Sequence, residues 1–240
     1  MPYNIENIFI CLAAPFLLAA FGTNTGNRKN YIFIVLGFVC CIISAYLNTF
    51  FSVLYGAQET SAVLEISPVI EETVKLIPLL FGLIVFELQP REGDNIIFNI
   101  AVGFATFENI CYLLEHGTGN LFYLLVRGFS TGAMHITCAF IIGYGLRVFR
   151  RPGALKASGI FALLCVAITF HATFNMLMKT DGLIKQFGYA VPIVSCLILF
   201  LLKYRFRKKL IQNNSVLFRP EKNPVFFVFL GGILYFQAPI

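Results

Sequence analysis

Charged residues are scarce in this sequence: Asp, Glu, Lys and Arg make up 12% of its 240 residues. A soluble domain usually carries about 25%. The chain is also 58% hydrophobic, with a mean hydropathy of +0.79. These values exclude a soluble globular protein and predict a single transmembrane domain over residues 1–240. The length suffices for roughly seven or eight spans of about 20 residues each.

Several familiar patterns are missing. The seven cysteines form no C-x-x-C pair and are odd in number, which argues against a disulfide framework or a zinc ribbon. The net charge of +6 is split among short loops rather than gathered in a patch, so we expect no nucleic-acid partner. No internal repeat or low-complexity linker is present.

Long apolar runs fill most of the chain. Because lipid offers no partners for unpaired backbone groups, these runs predict helices; strands of a membrane barrel would be shorter and alternating. Spans are predicted near 6–23, 31–55, 67–87, 96–115, 121–149, 155–178 and 187–203. A weaker stretch, 224–240, is expected to form a short final span or an interfacial helix. The fold class is therefore all-α, a polytopic transmembrane helix bundle of about seven to eight spans.

The positions of Lys and Arg predict the orientation of the bundle. Basic residues cluster between spans one and two, around the link between spans five and six, and after span seven. All three segments fall on one side if every span crosses, and such segments are normally cytoplasmic. The N-terminus is therefore expected outside.

Ionisable side chains within the predicted spans are the most informative residues. A charged residue near the centre of a membrane helix costs about 2.5–3.5 kcal/mol and usually marks a functional site. Four successive spans carry costly polar groups: Glu71, Glu72 and Lys75, then Glu108, then His135, then His171 with Asn175. These residues define a motif-bearing core, 67–178.

The depths of these groups match. At a helical rise of 1.5 Å, Glu71 lies about 5 Å below the start of its span, and Glu108 and His171 lie about 10–12 Å below the outer ends of theirs. Span five is longer than a bilayer needs; with Arg127 as its anchor at the outer interface, His135 lies about 12 Å below that residue. Matched depth predicts one site in the outer half of the membrane. Three pairs at i,i+4 share a helix face: Glu71 with Lys75, Glu108 with Tyr112, and His171 with Asn175.

Four short motifs follow one another on these spans. They are Glu71-Glu72-Thr73-Val74-Lys75 (E-E-x-x-K), Phe107-Glu108-Asn109-Ile110-Cys111-Tyr112 (F-E-x-x-x-Y), His135 with Gly143 (H-x7-G), and His171-Ala172-Thr173-Phe174-Asn175 (H-x-x-x-N). Each is weak alone, but four in this order are specific. In this set the chain resembles the PrsW family of intramembrane proteases, over nearly half of its length.

The PrsW family is similar to the type II CAAX prenyl endopeptidases and the Abi membrane proteins. The resemblance implies hydrolysis of a peptide bond within or beside the membrane. It also implies a membrane-anchored protein or peptide substrate, of which a bacterial anti-sigma factor is the example. The expected partners are this substrate and the lipid bilayer, and the expected location is the cell membrane, multi-pass.

The residue types favour activated water as the nucleophile, because no Ser/His/Asp or Cys/His arrangement stands out. We predict the following catalytic set: Glu72 or Glu71 as general base, His171 and His135 as water-orienting or oxyanion donors with Asn175 as a second donor, and Glu108 as the partner of a histidine or of the water. Lys75 and Tyr112 are supporting residues.

Metal dependence stays open at this point. The preferred interpretation has no cofactor. The alternative is a zinc ion held by His135, His171 and Glu72, with another glutamate as base. There is no H-E-x-x-H motif to decide between them.

Two functions of other classes compete with a peptidase. A proton-coupled transporter would use Glu and His to relay protons, but transporters often show internal repeats, and none is evident. A non-catalytic membrane scaffold is the second alternative. Cleavage of a single-span peptide by the purified protein would separate both from an enzyme.

Overall fold

The computed structural model describes residues 12–18, 29–85, 90–116, 121–148, 154–216, 224–229 and 232–237. Helices account for nearly all of them. In chain order they are α1 (residues 12–18), α2 (Lys29–Tyr55), α3 (Glu59–Ser61), a π-helical turn (Ala62–Ile66), α4 (Ser67–Val85), α5 (Pro90–His116), α6 (Leu121–Val148), α7 (Ala154–Met178) and α8 (Gly182–Val216).

Five of the predicted spans are confirmed as helices long and apolar enough to cross a membrane. They are Tyr31–Tyr55, Asn95–Glu115, Phe122–Gly143, Ser158–Met178 and Gly182–Leu202. The predicted span 67–87 is also helical over Ser67–Val85, as α4, and its apolar sequence contains three charged residues, Glu71, Glu72 and Lys75. The predicted span 6–23 lies outside the described residues except for 12–18. The protein is therefore a multi-pass helical membrane protein, and the side on which its N-terminus lies stays a prediction.

Helices α5 and α6 form the centre of the bundle. Of their apolar stretches 72% and 78% are buried, against 22%, 17% and 22% for α2, α7 and α8. The outer helices instead expose large apolar side chains, including Tyr46, Phe50, Phe161 and Phe187. Since lipid surrounds a membrane bundle, this exposure carries no penalty, and the ionisable groups of the spans lie on the faces that point into the bundle.

Helices α2 and α5 cross with their backbones in contact. A Cβ on Gly37 would collide with the Ile100 carbonyl oxygen, and a Cβ on Gly103 would collide with the Ile34 carbonyl oxygen. Small residues permit such close approach between membrane helices, where van der Waals packing drives association. This crossing fixes α5, and with it Glu108, against α2.

Gly128 and Gly132 of α6 lie beneath α1. A Cβ on Gly128 would be 3.6 Å from Ala14 Cβ, and a Cβ on Gly132 would be 3.4 Å from Leu18 Cδ1. These two glycines form a G-x-x-x-G spacing, which permits close approach of membrane helices, and the helix that approaches α6 there is α1.

Helix α4 contains an internal proline, Pro78. Proline has no N–H, so the carbonyl four residues earlier loses its helical partner. That carbonyl belongs to Val74, and the Cys40 thiol of α2 lies 3.8 Å from it.

The six described cysteines are all free, in agreement with the sequence prediction of no disulfide framework.

The C-terminal stretch does not form the expected span or interfacial helix. Strands β1 (Pro224–Phe229) and β2 (Gly232–Gln237) pair as an antiparallel hairpin, with Pro224 opposite Gln237. The prediction of a helix here was wrong because hydropathy measures only apolar content. The segment is rich in Phe, Val, Ile and Tyr, which favour strands.

Candidate active site

The Lys75 side chain of α4 lies at the base of a buried polar cluster. Its ammonium nitrogen is 2.6 Å from Glu72 Oε1 and 2.8 Å from His135 Nδ1. It also lies 4.7 Å from the centre of the Phe104 ring. Lys75 and Glu72 are each only 1% exposed. A charge buried so deeply needs a partner, and the pair of Glu72 and Lys75 supplies that partner within α4.

Glu72 stands behind His171 and lies near His135, whose Nδ1 contacts Lys75. The Glu72 Oε1 atom is 2.8 Å from His171 Nδ1 and 3.8 Å from His135 Nδ1. The two imidazole rings lie nearly perpendicular, with their centres 5.1 Å apart. Because each ring turns Nδ1 toward this carboxylate, each turns Nε2 the other way. A carboxylate behind a histidine fixes the orientation of the ring and raises its basicity. We call Glu72 and Lys75 the inner layer of the site.

Two further carboxylates face the Nε2 atoms. Glu108 Oε2 is 2.5 Å from His135 Nε2, and Glu71 Oε2 is 3.8 Å from His171 Nε2. The other oxygen of Glu71 accepts a hydrogen bond from the Ser67 hydroxyl. Glu71 Oε2 is buried and has no hydrogen-bond partner within the described part of the chain. We call Glu71, Glu108 and the two Nε2 atoms the outer layer.

Among the residues that the structure describes, Glu108 is the most exposed member of the outer layer. The Glu108 side chain is 31% exposed, whereas that of His135 is fully buried. The Glu71 side chain is 11% exposed. Water or a substrate carbonyl would therefore meet the cluster at Glu108.

Three side chains of the cluster can hold a metal ion. One ligand atom each from Glu71, His135 and His171 lies within 4.8 Å of the others, and all three residues are buried. Two observations fit an ion here. Glu71 Oε2 is an acceptor with no donor among the described residues, and Glu72 supports His171 from its Nδ1 side, as carboxylates behind metal-bound histidines do. The sequence alternative named Glu72 as the ligand. Glu71 takes that place here because Glu72 Oε1 already contacts Lys75 and His171.

The pairing predicted for Lys75 was wrong. A spacing of four suggested Glu71 as its partner, whereas the ammonium contacts Glu72 at a spacing of three. Both spacings bring side chains together on a helix. The choice is made by His135, which binds Lys75 on the Glu72 side, and by Ser67, which binds Glu71.

Asn175 and Tyr112 stand at the edge of the cluster. Asn175 Nδ2 donates to the Val63 carbonyl oxygen at 3.0 Å and so ties α7 to the π-helical turn. An amide has a second hydrogen, so its role as an oxyanion donor stays a prediction. The Tyr112 hydroxyl is 3.2 Å from the Tyr123 hydroxyl.

Sequence reasoning missed the contribution of Arg127, which it treats as an interfacial anchor. The Arg127 guanidinium lies 3.9 Å from Glu108 Oε1 and donates to Asn109 Oδ1 at 3.0 Å. A signal for it was available. Arg127 is a charged residue in the span that follows Glu108, and lipid penalises both charges unless they meet.

A family model described as PrsW family intramembrane metalloprotease matches residues 28–202, while no curated protein and no solved structure matches. Its description, with the Glu71, His135 and His171 group, fits the zinc alternative of the sequence analysis and not its metal-free preference. The match spans well over half of the chain, including all four motifs. The chain belongs to the PrsW family of intramembrane metalloproteases.

Proposed function

We propose that this protein hydrolyses a peptide bond of a membrane-anchored protein with a water molecule bound in the outer layer. One observation carries the proposal. His171 is held at Nδ1 by the buried Glu72 carboxylate and His135 is held at Nδ1 by the Lys75 ammonium, while the Nε2 atoms of both rings face two further carboxylates. Such an arrangement presents bases and ligands to one small volume, which is what activation of water requires.

The two layers would have different roles. Glu72 and Lys75 are buried and engaged with each other and with both histidines, so we assign them to positioning. Glu108 is the partly exposed carboxylate of the outer layer and contacts His135. We therefore assign it the role of general base, which removes a proton from the attacking water. Glu108 would then pass that proton on to the leaving amine.

Glu71, His135 and His171 are the residues we propose to hold a zinc ion. A zinc ion bound there would supply Lewis-acid polarisation of the scissile carbonyl and a nucleophilic water at neutral pH. The protein's own contribution is to fix the three ligands. Ser67 holds one oxygen of Glu71, and Glu72 orients the ring of His171.

For the substrate we propose a membrane-anchored protein cut in the outer half of the cell membrane, and an anti-sigma factor as the candidate. The support is the depth of the motif residues below the predicted outer ends of their helices. The resemblance of the four motifs supports the same substrate class.

A proteolysis assay tests the proposal. The purified protein in lipid nanodiscs would be incubated with single-span substrates, including the transmembrane anti-sigma factors of a bacterium that carries this protein. We expect cleavage by the wild type and by Cys138→Ala, and none by Glu71→Gln or His171→Ala. Cleavage that persists in both of the last two variants would rule out this site.

A further inference from the structure

The Arg127 guanidinium is held on two sides by residues of α5. Its Cζ lies 3.3 Å from the centre of the Tyr112 ring, and its Nη1 donates to Asn109 Oδ1 at 3.0 Å. Asn109 in turn donates to the Gly128 carbonyl oxygen at 3.4 Å. A planar guanidinium stacked on an aromatic ring and bonded at one edge has little freedom, so its remaining edge has a defined direction.

The remaining edge faces Glu108. Arg127 Nη2 is 3.9 Å from Glu108 Oε1, while the other oxygen of the same carboxylate is 2.5 Å from His135 Nε2. Arg127 and His135 both belong to α6, and Glu108 projects from α5 between them. One carboxylate thus lies between a fixed positive charge and a histidine of the site.

Glu108 needs such a restraint more than the other carboxylates do. Glu72 is held by Lys75 and His171, and Glu71 by Ser67. The Glu108 side chain is 31% exposed, so it has room to turn away from His135. Among the residues that the structure describes, Arg127 is the cation that contacts it.

We propose that Arg127 is a positioning residue that holds the Glu108 carboxylate against His135 in the reactive arrangement. The proposal rests on the proposed function for its catalytic consequence, but the contact itself can be tested without activity. Arg127 lies outside the four motifs. Its effect passes through Glu108, so it should alter turnover rather than substrate binding.

The test is a double-mutant cycle of Arg127→Gln and Glu108→Gln, measured on both cleavage and thermal unfolding. We expect Arg127→Gln to lower kcat about 10- to 100-fold, the range for residues that orient a catalytic group, with KM changed less than about twofold. Arg127→Lys, which keeps the charge, should recover part of the loss. In the Glu108→Gln background, Arg127→Gln should cost little more. Lys179→Gln is the matched control, because Lys179 forms an exposed ion pair with Glu59; it should leave cleavage unchanged.

Three results would overturn the proposal. The first is a kcat loss in the double variant that equals the product of the two single-variant losses, which would mean that the residues act independently. The second is a raised KM at constant kcat, which means that Arg127 binds substrate. The third is strict addition of the two losses in melting temperature, which means that there is no contact. Wild-type protein that cleaves no substrate would count against the proposed function, and the thermal cycle would still decide the contact. If Arg127→Gln does not fold, the cycle is run with Arg127→Met, which also removes the charge and keeps an apolar chain of similar length.

Discussion

His171 Nδ1 lies 2.8 Å from Glu72 Oε1, although 99 positions separate the two residues. The same oxygen is 2.6 Å from Lys75 Nζ. The preceding residue, Glu71, has an oxygen with no partner among the described residues. Two adjacent glutamates of one motif therefore have different surroundings, and the consequences of changing them should differ as well.

The Glu72→Gln variant should be less stable toward unfolding than the Glu71→Gln variant. Removing the charge of Glu72 leaves the Lys75 ammonium buried without its anion, and breaking a buried ion pair costs about 3–5 kcal/mol. Glu71→Gln keeps an oxygen that can accept from Ser67, so its cost in stability should stay below about 1 kcal/mol, while cleavage is lost. Thermal unfolding of both variants in the same detergent checks this. Equal melting temperatures would contradict the division into inner and outer layers.

Removal of metal should stop cleavage. Glu71, His135 and His171 offer the ligand set of a catalytic zinc site, so we expect about one zinc per chain, loss of activity with a strong chelator and recovery on adding zinc. Elemental analysis should show no zinc in His171→Ala and full zinc in Cys138→Ala. If the purified protein contains no metal and its cleavage rate is unchanged by chelators, the mechanism would instead be metal-free glutamate catalysis by the same residues.

Gly103→Ala should destabilise the bundle. The added methyl group would collide with the Ile34 carbonyl oxygen of α2, and a backbone cannot move aside as a flexible side chain can. We expect a loss of at least about 1–3 kcal/mol, the usual cost of overpacking, seen as a lower melting temperature. Gly128→Ala is the matched control, since its Cβ would make an ordinary contact at 3.6 Å with Ala14. If both variants have the same melting temperature, the α2–α5 crossing is not as close as described.

The membrane orientation can be checked with reporter fusions. Lys and Arg are concentrated in three of the segments that connect or follow the spans. This distribution predicts that a reporter fused after Gly153 lies in the cytoplasm and one fused after Gly117 lies outside it. The reverse pattern would place the site in the inner half of the membrane and exclude an extracytoplasmic cleavage site.

Much of the site could be predicted from residue types and their order. Glu71, Glu72, Glu108, His135 and His171 were singled out because each is costly in lipid, and the structure brings all five into one cluster. The pairing of Lys75 was wrong because spacings of three and four are equivalent on an isolated helix. Arg127 was missed for a related reason. A charge near the end of a span can reach either the interface or a neighbouring helix, and the sequence does not say which.

The sequence by itself determined that this is a helical membrane protein with its ionisable groups in four successive spans, because the cost of placing a residue in lipid depends on its chemical type. Only the tertiary structure decided which oxygen faces which nitrogen. Each residue turns the helix by about 100°, so the rotation of α4 separates Glu71 from Glu72. The crossing of α5 and α6 sets where Glu108 meets His135. Rotation and crossing arise from packing between distant parts of the chain, and no local pattern encodes them.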